Sequence, residues 1–160
     1  IKMAGDYFTS DIQEYMSRQH IVRVSERMAE RIKIHVGAAL TDLPNPPEDY
    51  VIHGPNRITT MPMEVPVCYQ EIAHCLETSI AKIEQAVINA LASTPPELYA
   101  DIVKNGIYLT GGGALLRGID KRLSDKINIP FHVAEDPLLC VAKGTGVALK
   151  NVEKFTFLMR

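Results

Sequence analysis

The stretch Ile107-Tyr108-Leu109-Thr110-Gly111-Gly112-Gly113-Ala114-Leu115-Leu116 decides the fold class of this 160-residue chain. The residues before Thr110 have the apolar, β-favouring character of a short strand, and those after the glycines open a helical pattern that runs to about Lys126. Pro130 to Val133 predicts a second strand. Strand, helix and strand at this spacing are typical of a right-handed crossover between parallel strands. The sequence therefore predicts an α/β fold.

Helical patterns surround this unit. From Tyr69 to about Ala92 the apolar residues recur at the helical period, which predicts the longest helix of the chain. Thr94-Pro95-Pro96-Glu97 predicts a capping box that begins a shorter helix, and Asn105-Gly106 predicts its end. Asp136 predicts the cap of a final helix that begins at Pro137.

The N-terminal part of the chain begins with two predicted helices. Asp6 predicts the cap of the first helix. Ser25 predicts the cap of the second helix, which we expect to end near Thr41, before a proline cluster.

Two predicted strands follow these helices. Tyr50 to His53 predicts a short strand, with a turn at Gly54-Pro55-Asn56. From Met61 to Val67 apolar residues alternate with prolines and a glutamate, which predicts an edge strand because proline cannot donate a ladder hydrogen bond. We therefore expect a small α+β unit over residues 1–66 and an α/β unit over residues 67–160.

The composition fits a globular protein, with 46% hydrophobic and 22% charged residues. A formal net charge of -2 gives no long-range attraction to a phosphate backbone, so we expect no nucleic-acid partner. The sequence has neither the run of about 18 apolar residues that a membrane span needs nor a secretory signal. We therefore expect a cytoplasmic protein. Because the first residue is Ile1 rather than Met, we also expect the chain to be part of a longer one.

The cysteines and histidines give no catalytic or metal-binding pattern. Cys68, Cys75 and Cys140 are odd in number and lack the paired spacing of a structural zinc site or a redox pair. His74 beside Cys75 leaves a metal-ligand alternative open, but ordinary helix positions explain these residues. No serine or cysteine nucleophile lies in a recognisable turn, so we assign no catalytic residue and no metal ligand.

The triglycine loop, Gly111 to Gly113, follows a predicted parallel strand, where α/β proteins bind ligands. Amides at the start of a following helix favour an anion there. A dinucleotide fingerprint would need glycine in place of Leu116, and a P-loop would need lysine in place of Ile119. The spacing leaves two interpretations open: a phosphate or nucleotide site, or a tight turn that needs positive φ.

The second predicted helix carries another candidate cluster. At about 100° per residue, Glu30, Lys33 and Gly37 fall within about 60° of one another. They lie opposite the apolar face of the helix. A carboxylate, an ammonium group and a gap without a side chain suit a ribose and a flat ring. The alternative interpretation is an ordinary solvated helix face.

The chain resembles the MreB family of bacterial actin homologues over nearly its whole length. Six segments carry this resemblance: residues 1–6, 29–33, 95–98, 109–117, 134–138 and 141–146, which read IKMAGD, AERIK, PPEL, LTGGGALLR, AEDPL and VAKGTG. The glycine loop by itself is common to the wider clan of actins, sugar kinases and chaperone ATPases. The order and spacing of all six segments narrow the resemblance to MreB.

The resemblance implies an actin-like (ribonuclease H-like) fold. Residues 1–66 then correspond to subdomain IIB and residues 67–160 to the C-terminal part of subdomain IIA, whose triglycine loop contacts adenosine. The cofactor implied is ATP, with Mg²⁺ in the full-length protein. The cofactor-binding residues implied are Glu30, Arg31, Ile32, Lys33, Gly111, Gly112, Gly113 and Ala114.

The same resemblance implies the C-terminal half of a filament-forming cytoskeletal protein that governs cell shape and cell-wall synthesis. The partners implied are further copies of the protein and the cell-wall elongation machinery at the membrane. The family's phosphate hairpins, catalytic carboxylate and membrane-contacting loop belong to the N-terminal half. We therefore expect membrane association through that half and no ATP hydrolysis by this chain alone. Two alternatives are a sugar-kinase-like phosphotransferase and an interaction domain that binds no nucleotide.

Overall fold

The computed structural model describes residues 5–154 and contains α-helices, short 3-10 helices and two small sheets. The α-helices in this part of the chain are α1 (Gly5–Gln19), α2 (Glu26–Val36), α3 (Tyr69–Ala92), α4 (Pro96–Asn105), α5 (Ile119–Ile127) and α6 (Cys140–Lys150). The strands are β1 (Tyr50–Pro55), β2 (Pro62–Val67), β3 (Ile107–Leu109) and β4 (Phe131–Val133). Residues 1–4 of the IKMAGD segment lie outside the described residues.

The main hydrophobic core lies between α1, α2 and α3, each of which contributes one apolar stripe at the helical period. Ile12, Ile32 and Leu76 are completely buried in it. The core also includes residues from β1, β2, α5 and β4, on both sides of residue 66. The division of the chain at that residue stays a prediction.

The predicted cap of α2 is confirmed, because Ser25 Oγ accepts a hydrogen bond from the Met28 amide at 3.2 Å. The predicted end near Thr41 is wrong, since Gly37 is extended (φ -63°, ψ 127°) and α2 ends before it. The predicted cap at Asp6 is also wrong, because α1 already includes Gly5 and Asp6 lies in its first turn.

Strands β1 and β2 form an antiparallel hairpin in which Tyr50 pairs with Val67. The turn predicted at Gly54-Pro55-Asn56 is wrong, because β1 continues through Pro55 and the chain reverses over residues 57–59. Packing explains the glycine instead: a Cβ on Gly54 would lie 2.8 Å from Cγ2 of Val22. The prolines of β2 lie in a two-stranded sheet, as expected for an edge strand.

The parallel pairing of the two predicted strands is confirmed. Strands β3 and β4 are parallel, with Ile107 opposite Phe131, and α5 lies between them in the chain and packs on β4. The predicted end of α4 is also confirmed, since its C-cap is Gly106 at φ 77°.

Two predicted helix starts are wrong. The hydroxyl of Thr94 donates back to the Ala90 carbonyl at 2.8 Å, so Pro95 takes the cap position of α4 and no capping box forms. Helix α6 begins at Cys140 rather than Pro137, because residues 137–139 form a turn closed by the Leu139 amide on the Asp136 carbonyl at 2.9 Å.

Candidate functional site

A cavity of about 700 Å³ opens between the α1–α2 pair and the loop that follows β3. Its apolar lining contains Phe8, Ile34, Ile83, Leu109, Leu115, Leu116, Ile119, Leu123 and Leu138. Its remaining lining consists of Gly5, Asp6, Glu30, Lys33, Thr110, Gly111, Gly112, Gly113 and Ala114. A predominantly apolar cavity with a few convergent polar groups is typical of a small-molecule site.

One wall of the cavity is a hydrogen-bonded cluster that joins α1 to α2. Lys33 Nζ lies 2.6 Å from Glu30 Oε2 and donates to the Gly5 carbonyl at 3.0 Å and to Thr9 Oγ1 at 3.1 Å. The Thr9 hydroxyl lies 2.7 Å from Glu30 Oε2. Only 16% of the Lys33 side chain is exposed. The interpretation of this helix face as purely solvated is therefore wrong.

The charge state of Glu30 follows from this cluster. Partial burial raises the pKa of the carboxyl, but hydrogen bonds from Lys33 and Thr9, with the positive charge of Lys33, outweigh burial and lower it below its ordinary value. At neutral pH the group is therefore a carboxylate, held in place at the cavity wall. Such a group accepts hydrogen bonds from ligand hydroxyls.

The opposite wall is the triglycine loop, whose local structure differs from the prediction. An α-helix from Leu115 to about Lys126 is wrong, because residues 112–115 form one turn of 3-10 helix and α5 begins only at Ile119. The physical reason is a backbone bridge between Arg117 and Ala38, which keeps the chain extended after Leu116. The loop therefore does not open a long α-helix, and the expected helix-dipole contribution is lost.

The backbone of the loop still offers hydrogen-bond donors. Within residues 5–154, the amides of Gly112 and Gly113 have no acceptor, whereas the Gly111 amide donates to the Pro137 carbonyl at 2.7 Å. The first amides of a helical turn are open to ligand oxygens when nothing caps them.

Positive φ explains the glycine at one position of the loop only. Gly111 has φ 81°, which other residues rarely adopt, and neither Gly112 nor Gly113 has a positive φ. A Cβ on Gly113 would meet nothing within 4 Å, and one on Gly112 would meet Leu138 at the ordinary contact distance of 3.5 Å. The tight-turn interpretation therefore accounts for Gly111 but not for the other two glycines.

The structure brings most of the expected site residues together. Glu30, Lys33 and the residues of the loop from Gly111 to Ala114 all line the cavity. Arg31 and Ile32 do not line it: Ile32 is completely buried in the core, and the Arg31 side chain is exposed. Successive helix residues point about 100° apart, so Glu30 and Lys33 share a face from which the two residues between them are turned away.

The sequence did not predict the residue that supports Glu30 and Lys33, nor several apolar residues of the lining. Thr9 holds Glu30 and Lys33 in place, and Phe8, Ile83 and Leu138 add apolar surface. The sequence shows the apolar stripes of the helices, but it does not show which residues of a stripe border a cavity.

Residues 5–154 contain neither a candidate metal cluster nor a candidate membrane-spanning helix. No group of three or more histidine, cysteine, aspartate or glutamate side chains is placed to hold a metal ion. No helix in this part of the chain has the length and apolar character needed to cross a membrane.

Comparison with known protein families shows the family to which the chain belongs. The model of the family described as MreB/Mbl protein matches residues 1–156. The chain belongs to the MreB/Mbl family. This membership confirms the resemblance inferred from the six sequence segments.

Relatives of known sequence agree with membership of the MreB/Mbl family. The chain is 43% identical over 154 residues to the cell shape-determining protein Mbl of Bacillus cereus (strain ATCC 10987 / NRS 248), covering 96% of this chain and 46% of Mbl. It is 39% identical over 157 residues to the cell shape-determining protein MreB of Escherichia coli (strain K12), covering 96% and 44%. The chain thus spans about half the length of the curated relatives it matches.

Solved structures confirm the actin-like α/β fold of this MreB/Mbl chain. MreB5 of Spiroplasma citri bound to AMPPNP matches with a TM-score of 0.91 and 34% identity, covering 100% of this chain and 47% of that one. The same protein bound to ADP also gives 0.91, with 36% identity over 96% and 46% of the two chains. A MamK double helical filament matches at 0.69 with 19% identity, over 86% and 42%, which supports the fold alone.

Proposed function

We propose that this chain supplies one side of the nucleotide site of a cell shape-determining, actin-like protein. The observation that carries the proposal is the meeting of Glu30 and Lys33 with the triglycine loop across one cavity. The family supports it, since a relative with the same fold has been solved with AMPPNP and with ADP.

Each wall of the cavity has a distinct role in this proposal. The Glu30 carboxylate accepts hydrogen bonds from ribose hydroxyls, and Lys33 keeps that carboxylate ionised and oriented. The amides of Gly112 and Gly113 donate to oxygens of the nucleotide, and the apolar lining contacts the base. The side chains of Arg31 and Ile32 do not contact the nucleotide in this proposal. Their helical backbone provides the spacing that puts Glu30 and Lys33 on one face of α2.

The proposed ligand is ATP with Mg²⁺ in the complete polypeptide. A bound Mg²⁺ keeps several waters and is held largely by nucleotide phosphates. Because no cluster of metal ligands is present within residues 5–154, we assign no metal ligand to these residues. The phosphate and metal positioning on which phosphoryl transfer depends would come from elsewhere in the polypeptide, so this chain alone should not hydrolyse ATP.

We further propose that the protein assembles with copies of itself through the β1–β2 hairpin. Ile58 and Met61 lie at the tip of this hairpin with 77% and 67% of their surface exposed. Exposed apolar side chains of this size at one tip favour a protein contact. In this proposal the filaments lie in the cytoplasm and act with the cell-wall elongation machinery at the membrane. Family membership gives the sugar-kinase alternative no support.

A nucleotide-binding measurement on the complete polypeptide that carries this sequence tests the site. Gly112→Val should abolish binding of ADP while the free energy of unfolding stays nearly unchanged, because the new Cβ has room but its methyl groups point into the space of the ligand. Gly144→Val on α6 is the matched control, since its Cβ would meet nothing within 4 Å and the residue does not line the cavity. Equal ADP affinity in both variants would contradict the site.

Sedimentation with and without ATP tests the assembly. The wild type should pellet when ATP is added, and Ile58→Ser with Met61→Ser should reduce the pellet without changing ADP affinity. The hairpin contact is wrong if the double variant sediments like the wild type, and the filament proposal is wrong if ATP leaves the wild-type pellet unchanged.

A further inference from the structure

The two walls of the cavity are joined on one side by a short non-helical segment, residues 37–39, which we call the junction segment. It begins where α2 ends, and the Gly37 amide donates to the Lys33 carbonyl at 2.9 Å. The segment is therefore fixed to the residue that anchors the Glu30 carboxylate.

The other side of the junction segment lies against the residues that follow the triglycine loop. The Ala39 amide donates to the Arg117 carbonyl at 2.8 Å, within a parallel bridge of Ala38 with Arg117. A Cβ on Gly37 would come within 3.0 Å of Cδ1 of Leu116, which itself lines the cavity. The space between the two segments therefore leaves little room for a side chain at position 37.

The Arg117 side chain makes a second connection between the end of α2 and the residues that follow the triglycine loop. Its Nη1 donates to the Ile34 carbonyl at 3.2 Å and to the Gly37 carbonyl at 3.4 Å, at the C-terminal end of α2. Carbonyls at a helix end lack partners within the helix and attract a cation. Arg117 therefore satisfies exposed carbonyls of one cavity wall from a position next to the other wall.

A second arginine holds the same segment from the core side. Arg122 Nη1 donates to the Ala39 carbonyl at 3.0 Å, while its other contacts are two glutamates of α3, Glu77 and Glu84, at 2.6–2.7 Å. Only 13% of the Arg122 side chain and 8% of the Glu84 side chain are exposed. Arg122 is thus part of the packed interior. Arg117 is half-buried, and within residues 5–154 its side chain donates only to the Ile34 and Gly37 carbonyls.

From these contacts we propose that Arg117 is a positioning residue of the nucleotide cavity. It fixes the separation between the wall that carries Glu30 and Lys33 and the wall formed by the triglycine loop. This inference rests on the proposed nucleotide site and assigns to that site a residue that does not line the cavity. Without Arg117 the backbone bridge of Ala38 remains, so the chain still folds, but the two walls move relative to each other.

The expected consequence is a loss of affinity without a matching loss of stability. A ligand that contacts both walls binds best when their separation is already set. Losing hydrogen bonds from a charged group to two carbonyls predicts a loss of nucleotide affinity of about 10-fold for Arg117→Met. Arg117→Lys keeps the cation but not the planar fork, so it should recover part of the affinity.

The test uses the complete polypeptide that carries this sequence and a fluorescent ADP analogue, mant-ADP. Three variants are compared with the wild type: Arg117→Met, Arg117→Lys and, as a matched control, Arg27→Met, an exposed arginine of α2. The measurements are mant-ADP affinity, urea unfolding, and hydrogen exchange of the Ala39 amide without nucleotide. We expect weaker binding and faster Ala39 exchange in Arg117→Met, partial recovery in Arg117→Lys, and wild-type values in Arg27→Met.

The outcomes separate this inference from the proposed function. Wild-type protein that binds mant-ADP, with unchanged affinity in Arg117→Met, overturns the positioning role and leaves the site intact. An affinity loss that follows the fraction of unfolded protein also overturns it, because Arg117 would then serve stability alone. Wild-type protein that binds no mant-ADP overturns the proposed function, and the positioning role is then wrong with it.

Discussion

The region from α1 to α3 and the region from α4 to α6 differ in how they bury apolar side chains. Of the large side chains that are fully buried within residues 5–154, all but Leu123 precede residue 81. Most of the exposed large apolar side chains within residues 5–154 lie in the later region, among them residues of α4, of the β3–β4 pair and of α6, including Val141 at 77% and Leu149 at 70%. Helix α6 has no buried residue at all.

Within residues 5–154, most of the fully buried apolar side chains therefore lie in the early region. Parallel sheets in proteins are usually covered on both faces, and the two-stranded β3–β4 pair has only partial cover within residues 5–154. The early region is therefore the stable support of the cavity. The triglycine wall belongs to the more weakly packed region, and this is why its junction with residues 37–39 matters.

Truncating one apolar side chain in each region should give the largest difference in stability. Leu76→Ala on α3 should lower the free energy of unfolding by about 4 kcal/mol, because it leaves a cavity at a completely buried position. Val141→Ala on α6 should change it by less than about 0.5 kcal/mol. Urea unfolding gives both values, and similar losses in the two variants would show that the regions are packed alike.

Removing the arginine that connects the regions should have the next largest effect. Arg122→Met should cost about 3 kcal/mol in urea unfolding, since it leaves the buried Glu84 carboxylate without its cation. Glu77→Gln should cost less than about 1 kcal/mol, because 59% of the Glu77 side chain is exposed. The hydrogen bonds from Arg122, despite partial burial, lower the pKa of Glu77. An unchanged free energy of unfolding in Arg122→Met would mean that the two regions are held together by other contacts.

Alkaline pH should weaken the α1–α3 interface by a smaller amount. Burial, with the nearby carboxylates of Asp11, Glu71 and Glu14, raises the pKa of the Cys75 thiol from 9.0 to about 12. The unfolded chain therefore loses this proton above pH 9, while the folded chain keeps it until about pH 12. Stability from this group is complete below pH 9 and falls between pH 9 and pH 12.

Urea unfolding of Cys75→Ser at a series of pH values tests whether the Cys75 thiol causes this pH dependence. The unfolding free energy of the variant should fall less steeply with pH than that of the wild type over this range. Burial, with Glu71, also raises the pKa of Tyr15 to about 12, so part of the slope should remain until Tyr15→Phe is added. An identical slope in wild type and Cys75→Ser would contradict burial of the thiol against α1.

Secondary structure was predictable where the sequence signal was long and periodic, or local, and no tertiary contact replaced it. The bounds of α3 follow from more than six turns of regular spacing, and the cap of α2 follows from a local hydrogen bond of Ser25. Local signals failed where tertiary contacts replaced them. Thr94 bonds back to α3 instead of capping α4, and the bridge of Arg117 with Ala38 prevents a helix directly after the triglycine loop.

The candidate site was predictable only in parts. Helical spacing placed Glu30 and Lys33 on one face, but Thr9, which orients both, depends on how α1 packs against α2. The spacing also drew attention to three glycines without distinguishing Gly111, which needs its positive φ, from the two that do not. That the two clusters face each other came from the family resemblance, because no local pattern encodes a contact across about 80 residues.

Glycine-selective NMR can detect whether nucleotide binds between the two walls of the cavity, because one wall is the triglycine loop. The complete polypeptide, labelled with ¹⁵N-glycine, is titrated with ADP, and the amide signals are assigned by single substitutions. We expect the signals of Gly111, Gly112 and Gly113 to shift together, while those of Gly144 and Gly146 on α6 and of Gly54 in the hairpin stay in place. Shifts confined to α6 or the hairpin, or no shift at saturating ADP, would contradict nucleotide binding between the two walls.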